Sequence, residues 1–182
     1  MKLQYNAPVV LSFTFLCAAV LFLSDMSGGS FMSLFTVYPT MDFTNPIDYF
    51  RLFSHAIGHG DWNHLVGNMT YILLLGPMLE EKYGSKNLLV MLVMTALVTG
   101  VLNVLFFSHG LLGASGIVFM FILLSSIVNF KKGYIPLTFV LVVALFLGKE
   151  IVNMFAVDNI SQSAHIIGGV CGAVFGFTHQ KT

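Results

Sequence analysis

Charge is what this sequence has least of. Only 9% of its 182 residues are Asp, Glu, Lys or Arg, against about 25% in a soluble domain, and the eight cations balance the eight anions to a formal charge of zero. No basic cluster stands anywhere, which excludes nucleic acid as a partner, because a phosphate backbone demands concentrated positive charge. Cysteine is nearly as scarce. Cys17 and Cys171 both fall in apolar stretches, where cysteine acts as a small hydrophobe, and their spacing offers no disulfide or metal framework. There is no internal repeat and no low-complexity tract, so an inverted-repeat transporter gains no direct support. Neither end carries a lipidation signature.

What the chain has in place of charge is long apolar runs. Hydrophobic residues make up 57% of it and the mean hydropathy is +0.87, which reads as a membrane protein. Six apolar segments can be drawn, at about 8 to 24, 63 to 79, 87 to 107, 111 to 130, 134 to 155 and 163 to 179. The predicted fold is all-α: a polytopic bundle of six transmembrane helices in the lipid bilayer, forming a single domain over residues 1–182. The first run could serve as the apolar part of a cleaved signal peptide, but it is long for that role and no clear Ala-x-Ala site follows, so a retained first helix is expected. The second and sixth segments carry His64, Asn68 and His165 among their apolar residues, as helices turned into the bundle do.

Basic residues in the connections set the topology, since cytoplasmic loops are enriched in Lys and Arg. With the N-terminus inside, Lys2, Lys82, Lys86, Lys131, Lys132 and Lys181 all lie inside, and Arg51 and Lys149 remain outside. Both termini are then cytoplasmic. The connection from about Ser24 to Trp62 becomes a long first outer loop, rich in Phe, Tyr, Met and Leu, which should lie in the interfacial zone with its aromatics at headgroup level.

In this orientation segments two, four and six all run from outside to inside with their polar residues near their outer ends. His64, Asn68, Ser115 and His165 should therefore share one depth. Ser115 sits in Gly113-Ala114-Ser115-Gly116, a turn that permits tight backbone and close helix approach. At a helix start it would aim free N–H groups at an anionic oxygen; equally, it could be an ordinary N-cap serine. His165 lies in a ladder of small residues, Ala164, Gly168, Gly172 and Gly176, on one helical face. Such a face brings a second backbone near enough for a Ser–His hydrogen bond, although a histidine bonded to a carbonyl to fix packing is the simpler alternative. His64 and Asn68, spaced i, i+4, could donate to an oxyanion or merely bridge helices.

His55, His59, Asp61 and His64 invite a metal reading. No His-Glu-x-x-His pattern supports it and glycines interrupt the cluster, so no metal or cofactor is assigned, and hydrogen bonds that fix the loop are expected of His55 and His59. Glu80 and Glu81 with Lys82 and Lys86 read as a solvated cap at the inner end of segment two.

Together, His64-x-x-x-Asn68, Gly113-Ala114-Ser115-Gly116 and Ala164-His165-x-x-Gly168-x-x-x-Gly172, in that order on the second, fourth and sixth segments, resemble the rhomboid intramembrane serine proteases of bacteria. The resemblance covers nearly the whole chain. It implies that Ser115 is the nucleophile and His165 the general base, with His64 and Asn68 completing an oxyanion hole. It also implies transmembrane protein substrates, a site opening to the outer face, an inner-membrane location, and substrate entry past the fifth segment and the last outer loop, where Phe146, Phe155 and Asp158 to Ser163 lie. Phe50-Arg51 resembles the family's Trp-Arg motif with Phe in place of Trp, and Glu80 with Gly84-Ser85 resembles its inner-end glutamate. Phe119 stands where many relatives have a tyrosine stacked on the catalytic histidine, so the aromatic face is kept and the hydroxyl lost. The competing expectations are a catalytically silent relative that binds transmembrane clients, and a small transporter.

Overall fold

The computed structural model describes residues 3–128, 134–153 and 162–179. Among them are seven α-helices and one 3₁₀ helix, with no strand beyond an isolated bridge between Val37 and Leu111. The all-α membrane bundle is the observed fold. The helices are α1 (Pro8–Met26), α2 (Pro46–Ser54), α3 (Trp62–Tyr83), α4 (Ser85–Phe106), α5 (Ser115–Ser126), α6 (Leu137–Asn153) and α7 (Gln162–Thr178). All but α2 correspond to the expected apolar segments. By length and composition, α1 and α4 are each long and apolar enough to cross a bilayer. Phe155 and Asp158 of the expected entry region lie outside the described residues, as do Lys2, Lys131, Lys132 and Lys181.

The fourth apolar segment runs from about 111, yet the helix begins at Ser115, the helix start at which the sequence reading set that residue. Leu111 is instead extended and exchanges both backbone hydrogen bonds with Val37, each at 2.9 Å. Gly113, at φ +119°, then turns the chain through a conformation that L-residues rarely adopt. At 12 residues, α5 is about 18 Å long, well short of a hydrocarbon core of roughly 30 Å.

The connection from α1 to α3 is folded and not merely laid on the surface. It contains the 3₁₀ helix Ser30–Phe35 and α2, neither of which the composition of the loop announced. Asn45 caps α2 through the Ile47 N–H at 3.1 Å, and Pro46 starts it, as suits a first helical position. Arg51 is the clasp: its Nε donates to the Ser33 carbonyl at 2.9 Å, its Nη1 pairs with Asp48, and its guanidinium lies 4.9 Å from the centre of the Tyr38 ring. Nearby, the Ser54 hydroxyl donates to the Leu34 carbonyl at 2.8 Å.

At the junction of α3 and α4, expected to be an inner end, Glu80 is buried, which corrects the expectation of a solvated cap; Glu81, Lys82 and Lys86 are exposed as expected. Its carboxylate accepts the N–H groups of Val9 and Val10, both at 3.0 Å, and the Ser85 hydroxyl at 2.7 Å. One side chain of α3 thus satisfies the first turn of α1, where backbone donors have no partner within their own helix, and fixes the start of α4.

The tightest seam joins α5 to α7. A Cβ placed on Gly168 would fall on the Gly116 carbonyl oxygen, and one on Gly172 on that of Met120. The small-residue ladder of α7 is therefore the condition for two backbones to touch. On the other side of this seam, Gly116 sits against the Ala164 carbonyl.

Candidate active site

Ser115 is the first residue of α5, and the N-cap is Ala114, which makes no side-chain cap. The N-cap reading of the serine is thereby set aside: its hydroxyl is not needed to close the helix. The Val118 N–H makes the first helical bond, to the Ala114 carbonyl at 2.9 Å. The N–H groups ahead of it form the electropositive end of the helix, around the serine.

Gly113 does more than turn the chain. A Cβ there would lie 2.6 Å from Cε1 and 2.7 Å from Nε2 of His64, so the bare α-carbon is what lets the His64 ring pack beside the serine loop. The Gly113 N–H in turn donates to the His55 carbonyl at 2.9 Å. His64 itself is placed by the start of α3, where the Asp61 carboxylate accepts the His64 backbone N–H at 2.9 Å. Such a cap is worth about 1 kcal/mol. Asp61 was singled out in the sequence only as a member of a doubtful metal cluster; its position just ahead of the α3 segment was the signal for an N-cap.

His165 occupies the first turns of α7, and its imidazole lies flat on Phe119 of α5, with ring centres 4.3 Å apart and planes 6° from parallel. The phenyl ring performs the stacking that the sequence assigned to it. Phe146 of α6 then meets Phe119 edge-on at 5.2 Å and 87°, a third ring that the spacing did not connect to the histidine.

These side chains face one cavity of about 640 Å³ between α3, α5 and α7. His64, Asn68, Ser115 and His165 all line it, together with Phe119 and Tyr71. His55 and His59 do not line it. His55 is buried and its Nε2 meets the Ala96 carbonyl on α4 at 2.9 Å. His59 is buried too, with Nδ1 on the Ile57 carbonyl and Nε2 on the Asn68 amide, both at 3.0 Å. Burial pushes each of these rings down from 6.5 to about 4, opposed in part by its backbone hydrogen bond. They are neutral at physiological pH, and their nitrogens do not converge on a common point.

A hydroxyl at a helix start, a stacked imidazole and two polar side chains in one cavity among the helices are the furniture of nucleophilic acyl transfer. Residues 46–182 match the family model of the Rhomboid domain; that is most of the sequence, and the chain belongs to the rhomboid family. More narrowly, it is a GlpG-like rhomboid. It is 24% identical to Rhomboid protease GlpG of Haemophilus influenzae over 98% of this chain and 94% of that protein. It is 30% identical to Rhomboid protease GlpG of Klebsiella pneumoniae subsp. pneumoniae over 64% of this chain, a match that spans 42% of the Klebsiella protein.

Proposed function

We propose that this rhomboid cleaves transmembrane polypeptides with Ser115 as nucleophile and His165 as general base. The enzyme class follows from the family: a GlpG-like rhomboid is an intramembrane serine protease, integral to the membrane. The observation that carries the residue roles is the convergence of Ser115, His165, His64 and Asn68, from three helices, on a single cavity.

In the proposed reaction His165 takes the hydroxyl proton of Ser115 as the oxygen attacks a substrate carbonyl. His64, Asn68 and the backbone N–H at the start of α5 receive the negative charge that develops on the carbonyl oxygen. His165 then returns the proton to the leaving amine, and water attacks the acyl-enzyme by the same route in reverse. Phe119 holds the imidazole plane throughout, a task that needs an aromatic face and no hydroxyl. The substrate helix has to unwind at the cut, because helical carbonyls are closed off by their own hydrogen bonds. Water has to reach Ser115 as well, which calls for a cavity open to an aqueous face and shielded from lipid.

The distribution of Lys and Arg supports six crossings, cytoplasmic termini and a cavity opening on the outer, periplasmic side of a bacterial inner membrane. On this reading residues 1–182 act as one catalytic domain with no cofactor. Incubation of the purified protein with a model transmembrane substrate tests the assignment. Ser115→Ala and His165→Ala should each lower the rate by about 10³-fold or more without changing thermal unfolding, and a fluorophosphonate should label the wild type but not Ser115→Ala. Absence of cleavage and labelling in the wild type would favour a silent client-binding relative; full activity in Ser115→Ala would refute the nucleophile.

A further inference from the structure

We infer that His59 is a positioning residue for the oxyanion site: it fixes which way the Asn68 amide faces, and so whether Asn68 presents a hydrogen-bond donor to the cavity. This rests on the reading of Asn68 as an oxyanion donor.

The chain of hydrogen bonds admits one assignment. The Ile57 carbonyl, 3.0 Å from His59 Nδ1, can only accept, so Nδ1 carries the proton. In a neutral imidazole the other nitrogen is then an acceptor. Nε2, 3.0 Å from Asn68 Nδ2, must therefore be met by the amide NH₂ and not by the amide oxygen. An asparagine is free to flip between two nearly isosteric orientations. Here the backbone of the loop, acting through His59, selects one.

The same nitrogen lies 3.8 Å from the place where a Cβ on Gly113 would stand, beside the His64 ring and the serine loop. With one amide hydrogen committed to His59, the second is left on the side of the cavity that Asn68 lines. A flipped amide would put a carbonyl oxygen there and repel the developing oxyanion. His59 is held neutral by burial. The titratable groups that bear on it are Asp61, which favours its charged form, and His64, which disfavours it and lies 5.0 Å away ring to ring.

The test is a double-mutant cycle on the full-length protein in detergent or liposomes, following kcat and KM for a model transmembrane substrate. Wild type and Ser115→Ala are run first, so that failure of the protease reading is seen separately, as no Ser115-dependent cleavage. His59→Leu removes the acceptor; His59→Gln restores one with its side-chain oxygen. We expect His59→Leu to lower kcat by about tenfold to a hundredfold with KM little changed, His59→Gln to recover most of the rate, and His59→Leu in an Asn68→Ala background to add no further loss. Independent, multiplying losses in the double variant, or equal losses in the Leu and Gln variants, would overturn the inference. Should His59→Leu fail to fold, His59→Gln decides alone: a rate near wild type supports it, and a loss of about tenfold or more in a variant that unfolds at the wild-type temperature overturns it.

Discussion

The two ends of the bundle treat buried polar groups differently. At the end proposed to be inner, the two oxygens of Glu80 take two backbone N–H groups and a hydroxyl, and the cluster closes on itself. At the end proposed to be outer, Asn68 gives one bond to His59 and lines a cavity with Ser115, His64 and His165. Both clusters sit in apolar surroundings where polar groups are costly. The Glu80 cluster fastens helices together, while the other lines a cavity. Burial alone therefore does not make a polar residue a candidate for the reaction; facing a cavity narrows the choice.

Acidification should break the outer end most severely. In the unfolded chain His55 and His59 bind protons near 6.5, but in the folded protein only near 4, so the unfolded state holds more protons across that window. Stability is complete above about pH 6.5 and falls as the pH drops towards 4, by an amount on the order of 3 kcal/mol for each ring at pH 4. Thermal unfolding in detergent across this range measures it, and His59→Gln should flatten part of the slope. Replacing Glu80 by Ala should cost the inner end about 3 to 5 kcal/mol, since two backbone donors at the start of α1 lose their partner. Fluorophosphonate labelling per folded molecule should survive that change; its loss would mean that the two ends are not separable.

The seam between α5 and α7 gives a finer test. Gly168→Ala drives a methyl group into the Gly116 carbonyl, which is backbone and cannot step aside, whereas Gly176→Ala meets side chains alone, those of Ile127 and Leu124. The first should destabilise by about 1 to 3 kcal/mol and slow cleavage, and the second by distinctly less; equal effects would show that the seam is not rigid at the level of the serine. Smallest of all should be Phe119→Tyr. It keeps the ring on His165 and should change kcat by no more than about twofold, since the group added takes no part in the proposed proton transfers.

Much of this was legible in the sequence wherever a pattern is local. The apolar segments follow from runs of residues, and the ladder from Ala164 to Gly176 told of a close neighbour through a repeat of four along one helix. The four polar residues were expected at one depth from the topology that loop charge suggests, and they line one cavity. What escaped the sequence is contact between distant positions. Nothing near Glu80 announces that its partners are Val9 and Val10, 71 and 70 positions earlier, so it read as a surface charge. The extended pairing ahead of α5 escaped for a related reason. Leu111 is apolar and continues the run, but its backbone is paired with Val37, and the helix begins at Ser115. The loop histidines read as fixing bonds without partners, because the Ala96 carbonyl is on a helix that the loop has first to reach.

The stretch that leads into Ser115 is laced to the connection between α1 and α3 at two points, by Leu111 on Val37 and by the Gly113 N–H on the His55 carbonyl. That loop also shows large apolar side chains at its surface, Phe43, Tyr49 and Phe50 among them. An antibody fragment or small molecule gripping those rings would be holding a handle whose other end is Ser115. It could stall or retune the enzyme without ever entering the cavity, so inhibitors of this protein need not look like anything it cuts.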